Sequence, residues 1–400
     1  MVVNSLFLTY EVGSLPKLNA RMKAFQKKPL SPEDEEELQT VSARAGLSPQ
    51  DILELLRRPG KTGRRLTAEE KTAVINFNAL LYVRLQEACC LDFVYDGEAR
   101  RSEMYRHVAK DIAGFEDLPE MIRSRGPDSW RSSVCVAEPK LKEDSLAGLI
   151  LDEFSQAQTS ATQPLKVPLD DPYMIAVMSD NRYFLEKLRS VHVGEPKKLR
   201  YAAKRELVLA LARNVIRPQV EALVASGAAW IQLDAPAATL DLEHIPILVE
   251  GLNECVAGTS GVKFSVHFCY PRRVSLIDKS GYELLFPHVL NLDPKIDHFS
   301  LELANADTYA LDLAVFRQYA DQRRFEIGVG VVDITLEKQL KGETETPEIV
   351  RRRIAQAVSV LGDEKLVYVA PDCGLRQLSL ERAVRLYDVL VEGTELARRG

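Results

Sequence analysis

Eight short apolar runs, spaced so that longer amphipathic stretches fit between them, restrict this chain to very few architectures. The runs are Phe7–Val12, Asp92–Asp96, Leu165–Leu169, Ala229–Asp234, Val262–Cys269, His298–Glu302, Phe325–Val331 and Leu366–Ala370. Each has strand length, and intervening segments such as Lys204–Ala225 and Glu348–Leu361 carry apolar residues near the helical period. Strand followed by helix, eight times over, predicts an α/β fold, the (β/α)8 TIM barrel, with its chemistry at the C-terminal ends of the strands. A chain of 400 residues accommodates one such barrel with additions. No internal repeat or composition break divides it, so residues 1–400 are expected to form one barrel domain. Residues 27–70 are charged and helical in pattern, broken by Pro29, Pro32, Pro49 and Pro59, with a short apolar patch at Leu53–Leu56. They read as a helical insertion after the first strand. Residues 126–163 read as a β-hairpin arm that begins with the strand-like Trp130–Glu138 and ends in the small, polar Ser155–Gln163.

Charge and cysteine usage narrow the function. A net charge of −6 offers no basic field for a phosphate backbone, which argues against nucleic acid as a partner. No apolar stretch approaches the roughly 20 residues that span a bilayer. The start, Met1-Val2-Val3-Asn4-Ser5-Leu6-Phe7, lacks the basic region and cleavage site of a signal peptide. Cys89, Cys90, Cys135, Cys255, Cys269 and Cys373 show no disulfide-framework spacing. A reducing cytoplasm is the expected setting.

Four residues at predicted strand ends carry metal-binding side chains: His267 and Cys269 on the fifth run, Glu302 on the sixth and Cys373 after the eighth. His267 and Cys269 are two apart, so the pleat aims both at one face. A borderline cation such as Zn²⁺ accepts imidazole, thiolate and carboxylate together. Two thiolates and a carboxylate make such an ion electron-rich, which suits activation of another thiol better than hydrolysis. Alkyl transfer to sulfur is the chemistry this points to. Each residue alone has a duller reading: a buried cysteine packs as a small hydrophobe, and a strand histidine is usually hydrogen-bonded in a core. The other four cysteines are read as packing.

Several local motifs resemble the C-terminal catalytic barrel of the cobalamin-independent methionine synthase family. They are Val12-Gly13-Ser14-Leu15-Pro16, Asp96-Gly97-Glu98, Ile231-Gln232-Leu233-Asp234-x-Pro236, His267-x-Cys269, Glu302, Gly328-x-Gly330-Val331-Val332-Asp333 and Pro371-Asp372-Cys373-Gly374-Leu375. The resemblance implies one zinc ion per chain, held by His267, Cys269, Glu302 and Cys373, and homocysteine as the substrate whose thiol it ionises. It also implies that Gly13, Ser14, Glu98 and Asp234 hold the amino-acid end of homocysteine. Two carboxylates suit an ammonium, and a Gly-Ser turn offers donors to a carboxylate. Without the resemblance, Gly13-Ser14 reads as a turn, Glu98 as a surface carboxylate and Asp234 as a helix cap ahead of Pro236.

The chain departs from the family pattern on the methyl-donor side. Ala235 follows Asp234 where the family has Glu, Asp171-Pro172-Tyr173 replaces a Gly-Pro-Val turn, and Thr335 replaces a histidine assigned to proton delivery. The second, N-terminal barrel of the standard enzyme has no counterpart. This pattern is similar to short, core-type methionine synthases, which implies a methyl-corrinoid donor, methylcobalamin or a corrinoid protein, as co-substrate. Cob(I)alamin leaves without a proton, whereas a folate nitrogen needs one. The alternatives are methyltetrahydrofolate as donor, alkyl transfer to coenzyme M with Arg272-Arg273 near its sulfonate, and a zinc-holding subunit without turnover.

Overall fold

The computed structural model describes residues 6–101, 104–125, 128–270, 281–304, 309–334 and 345–400. Nine strands occur among them: β1 (Ile112–Arg125), β2 (Asp128–Leu141), β3 (Lys166–Asp170), β4 (Asp180–Asn181), β5 (Trp230–Asp234), β6 (Lys263–Phe268), β7 (Ile296–Leu301), β8 (Glu326–Val332) and β9 (Val367–Pro371). Strands β3-β5-β6-β7-β8-β9 lie side by side, every pair parallel. Isolated parallel bridges Thr9–Val369, Tyr10–Phe93 and Val94–Leu165 carry the wall from β9 round to the start of β3. The expected eight-stave barrel is therefore present. β3 and β5 are buried along their whole length, as parallel strands covered on both faces must be.

The first two staves differ from expectation, since neither forms a continuous ladder. Side chains have taken the backbone's partners there. The Asp92 carboxylate accepts from Thr9 N–H and Thr9 Oγ1, both at 2.8 Å, and the Gln86 amide caps Tyr95 at both its N–H and its carbonyl. Once these donors and acceptors are satisfied from the side, strand pairing gains nothing more.

The barrel lumen is filled by rings. Tyr10 and Trp230 lie 4.9 Å apart, His298 packs 4.9 Å from Trp230, and Tyr10 Oη donates to Ser300 Oγ at 2.7 Å. Gly328 opposes them. A Cβ there would collide with Tyr10 Oη and His298 Nε2, so a side chain at this point of β8 and the Tyr10 ring cannot coexist.

Local signals explain the surrounding helices. Ser31 with Asp34 and Thr67 with Glu70 form capping boxes that start helices Pro32–Arg44 and Ala68–Ala88. Leu53 and Leu56, one turn apart on helix Gln50–Thr62, are fully buried. Pro59, expected as a breaker, lies inside that helix; the helix ends three residues later at Thr62, and the left-handed Gly63 follows. The hairpin starts earlier than expected. β1 pairs antiparallel with β2, so Trp130–Glu138 belongs to the second hairpin strand. Gly114 has φ +90°, and a Cβ there would press on the Ala137 carbonyl, which breaks the alternation that marks a strand. The polar segment after it is helical, as a π turn Ala147–Leu151 and helix Asp152–Ser160. Cys90 is exposed with φ +63°, outside the helix that ends at Ala88, and is not a packing residue. Among the described residues, no helix is long and apolar enough to cross a membrane.

The packing at Gly328 yields a first test. Gly328→Ala should lower unfolding free energy by roughly 1–3 kcal/mol, since overpacking a dense core forces neighbours off their rotamers. Urea denaturation measures it; an unchanged midpoint would contradict the packing described.

Candidate functional site

His267 is the penultimate residue of β6, Cys269 follows that strand's end, Glu302 follows β7, and Cys373 comes two residues after β9. One ligand atom from each of the four lies within 4.8 Å of the others. Cys269 Sγ is 3.6 Å from His267 Nε2, Cys373 Sγ is 3.4 Å from it, and the two sulfurs are 4.0 Å apart. A tetrahedral ion with Zn–N near 2.0 Å and Zn–S near 2.3 Å needs ligand–ligand edges of about 3.3–3.8 Å. The spacing fits such an ion.

The electrostatics agree. His267 Nδ1 donates to the Ser300 carbonyl at 3.1 Å, which leaves the Nε2 lone pair directed at the sulfurs. Burial lowers the His267 pKa to about 4, so the ring is neutral. The Cys373 thiol is pushed well up by its contact with Cys269, by burial and by the Glu302 charge. For Cys269, the contact with Cys373 favours ionisation, but burial and Glu302 outweigh it and the thiol is also raised. Three acidic groups thus face one another in a partly dry site, an arrangement that a divalent cation relieves.

Two residues outside the predicted site set hold the cluster together. Tyr282 Oη accepts from Glu302 N–H at 2.8 Å and donates to the Phe268 carbonyl at 3.0 Å, tying the end of β6 to the end of β7. Asp372, visible in the sequence only as part of a turn, accepts from Leu303 N–H at 2.8 Å and Ala304 N–H at 2.7 Å. It joins the Cys373 turn to the segment just after Glu302. Gly330 leaves room for the Asp372 carboxylate, which a Cβ there would strike.

The other four predicted residues come to the same rim. Asp234 ends β5 directly opposite His267 in the ladder. Gly13-Ser14 packs against the Cys373 turn: Leu375 N–H donates to the Ser14 carbonyl at 2.7 Å, and a Cβ on Gly374 would sit 2.6 Å from Ser14 Oγ. Glu98 Oε1 lies 3.1 Å from where a Cβ on Gly13 would be. Glu98 is largely buried, with φ +56°, and receives Arg101 Nη1 at 3.3 Å, so it is no surface carboxylate. Nor does Asp234 cap a helix; a turn follows it, and Asp241 caps the 3-10 turn Leu242–His244. Asp234 accepts instead from Gln232 Nε2 at 2.7 Å, and burial and the Glu98 charge raise its pKa against the opposing pull of Lys166. The strand-buried Lys166, Asp170 and Gln232 were not singled out from the sequence, because alternation alone does not reveal a polar lumen. Arg272-Arg273 and Thr335 lie outside the described residues.

Comparison with known proteins gives a consistent result. Residues 53–395 match the family profile described as the catalytic domain of cobalamin-independent synthase. The chain is 31% identical over 336 residues to a methionine synthase of Thermococcus kodakarensis, covering 84% of this chain and 86% of that one. It is 30% identical over 309 residues to one of Saccharolobus solfataricus, covering 77% and 80%. In fold it is similar to a B12-independent methionine synthase from Shewanella sp. W3-18-1 in complex with selenomethionine, with a TM-score of 0.70, 19% identity and coverage of 99% and 98%. The expected methyl-corrinoid donor finds no support here, because the matching family is described as cobalamin-independent. That expectation leaned on Thr335, Ala235, Asp171-Pro172-Tyr173 and the lack of a counterpart to the second barrel, whereas the match extends over residues 53–395.

The scaffold of the cluster gives the second test. Asp372→Ala keeps all four donors but frees the segment after Glu302. It should weaken divalent-metal affinity about 10–100-fold, the usual cost of losing an outer partner. Chelator competition reads this, and unchanged affinity would refute the role given to Asp372.

Proposed function

Because the chain belongs to the cobalamin-independent synthase family and is a methyltransferase of the methionine-synthase type, we propose that it transfers a methyl group from methyltetrahydrofolate to the sulfur of homocysteine. The observation that carries this reading is the convergence of His267, Cys269, Glu302 and Cys373 at three strand ends, with their ligand atoms within 4.8 Å. We assign these four to one zinc ion, which when bound lowers the pKa of an incoming thiol and keeps the sulfur nucleophilic. The whole chain, with its 27–70 insertion and hairpin, is taken to act as one barrel in a reducing cytoplasm.

The residues around the ion divide the remaining work. Glu98 and Asp234 take the homocysteine ammonium, and the Gly13-Ser14 turn takes its carboxylate. Asp234 is His267's neighbour in the ladder, so the amino-acid end is anchored one strand from the sulfur's position. Fixing both ends converts methyl transfer into an oriented displacement, and orientation supplies much of the rate. A sulfur–carbon bond forms as the carbon–nitrogen bond to the folate breaks, and the folate nitrogen takes up a proton.

A family described as cobalamin-independent favours a folate donor over a corrinoid. Replacing the family's histidine with Thr335 also leaves acid chemistry available. Asp170, at the end of β3 and opposite Asp234 in the ladder, is buried. Burial holds its pKa well above the usual carboxylate range; Arg101 opposes this, while Glu98 and Asp234 reinforce it. A carboxylic acid whose proton affinity is raised in this way is suited to delivering a proton.

Zinc-loaded protein with homocysteine should turn over methyltetrahydrofolate or its triglutamate. Turnover with methylcobalamin alone would overturn the donor, and activity on coenzyme M in place of homocysteine would overturn the acceptor. Cys373→Ala should abolish both stoichiometric zinc and methyl transfer. Asp170→Asn should slow folate-dependent turnover by about 10²-fold or more with zinc content unchanged. The working form of Asp170 is the protonated one, so wild-type turnover should fall as pH rises through its pKa, and this limb should vanish in the variant. A variant profile identical to wild type would remove Asp170 from the reaction.

A further inference from the structure

Lys166 and Gln232 are buried in the barrel lumen, and neither touches the metal cluster by any contact described above. A charged amine in a lumen otherwise packed with rings is costly, since it loses water without gaining a carboxylate in direct contact. Its hydrogen bonds show what it does instead. Lys166 Nζ donates to the Val12 carbonyl and to Gln232 Oε1, both at 2.9 Å, with the Tyr10 ring centroid 5.1 Å away. Because Gln232 Oε1 faces an ammonium, its amide orientation is settled, and Nε2 must face acceptors. It does so twice, reaching the Val12 carbonyl at 2.7 Å and Asp234 Oδ1 at 2.7 Å. The Val12 carbonyl belongs to the peptide that leads into Gly13-Ser14, and Gly13 N–H on that same peptide donates to Glu11 Oε1 at 3.1 Å. This peptide is therefore held on both sides, its carbonyl from the lumen by Lys166 and Gln232 and its N–H by Glu11, whose other oxygen accepts from Tyr387 of the C-terminal helix.

We propose that Lys166 and Gln232 are positioning residues that join Asp234 to the Gly13-Ser14 turn and set the reach of the amino-acid clamp, selecting homocysteine over the shorter cysteine. This rests on homocysteine as the acceptor. The turn stands on the first stave and Asp234 on β5, with the second stave and β3 between them along the wall. The Lys166–Gln232 pair spans that gap directly, through the lumen. Asp234 and Gly13-Ser14 each also abut a part of the metal cluster, at His267 and at the Cys373 turn. Their separation thus determines how far the anchored α-carbon stands from the sulfur's position. A thiol one methylene shorter, held at the same anchor, falls short of the cluster. Lys166 also adds the positive charge that offsets crowding among Asp234, Glu11 and Glu98, each of which interacts with it.

The test uses zinc-loaded, full-length protein, with homocysteine and cysteine as probes. Lys166→Met and Gln232→Glu should each raise the KM for homocysteine about tenfold or more while leaving kcat at saturation within about twofold, the pattern of lost anchoring. Preference for homocysteine over cysteine, measured by competitive calorimetric titration, should fall by a similar factor. Zinc per chain and thermal midpoint report that fold and cluster survive, and Lys166→Arg should restore most of the KM. If Lys166→Met fails to fold, Gln232→Glu, which keeps side-chain size but cannot donate to the Val12 carbonyl, decides alone. Folded, zinc-loaded variants with wild-type KM and selectivity overturn the inference. Wild-type protein that does not bind homocysteine overturns the acceptor assignment together with it.

Discussion

The mutual repulsion of three acidic side chains governs the catalytic rim. Cys269, Cys373 and Glu302 are brought within 4.8 Å of one another and of a neutral imidazole, where burial and mutual charge keep both thiols from ionising. Such crowding does not arise from packing apolar strands, and it persists only because the framework overdetermines it. Tyr282 bridges the ends of β6 and β7, Asp372 bridges the end of β9 and the segment after β7, and Gly330 and Gly374 remain bare to let the chains approach. The barrel contributes rigidity. Strand ends fixed by a closed wall cannot drift apart to relieve the crowding, so the thiols hold their protons unless a cation compensates them.

The amino-acid side of the rim uses the same principle with the opposite outcome. Burial and nearby carboxylates raise the proton affinity of Asp234 and Asp170, but here the counter-charges are built in, as Arg101 against Glu98 and Lys166 near Asp234. Arg101 is shared with a further carboxylate, donating from Nη2 to Glu153 at 2.6 Å, so its compensation of Glu98 is partial. A partly neutralised acidic pocket can accept an ammonium and release it again. A fully neutralised one would not attract it, and an uncompensated one would protonate.

How much of this the sequence discloses depends on whether a residue acts through its type or through its surroundings. The wall was legible because six of the eight apolar runs coincide with strands to within about two residues, the usual margin at element ends. The convergence of His267, Cys269, Glu302 and Cys373 was legible because imidazole, thiol and carboxylate at predicted strand ends are rare together. The first hairpin strand was not, since Gly114 and the charged residues of Ile112–Arg125 erase the alternation that signals a strand. Tyr282 and Gln86 could not be found either. Their roles rest on backbone groups far away in sequence, and any tyrosine or glutamine in a helical or turn pattern looks the same.

The proposed folate donor illustrates why local substitutions are a weak guide to mechanism. Losing a histidine at Thr335 suggested a leaving group that needs no proton, and that inference holds only if no other acid is nearby. The folded barrel places Asp170 in the same layer as Asp234, where water is scarce and neighbouring carboxylates are dense. Those conditions raise the proton affinity of an aspartate that the sequence does not distinguish from any other. Histidine reaches a proton-carrying state through its intrinsic pKa and needs little help from its surroundings. An aspartate reaches it only through burial and like charge, and both are properties of the assembled rim that no single stretch of sequence contains.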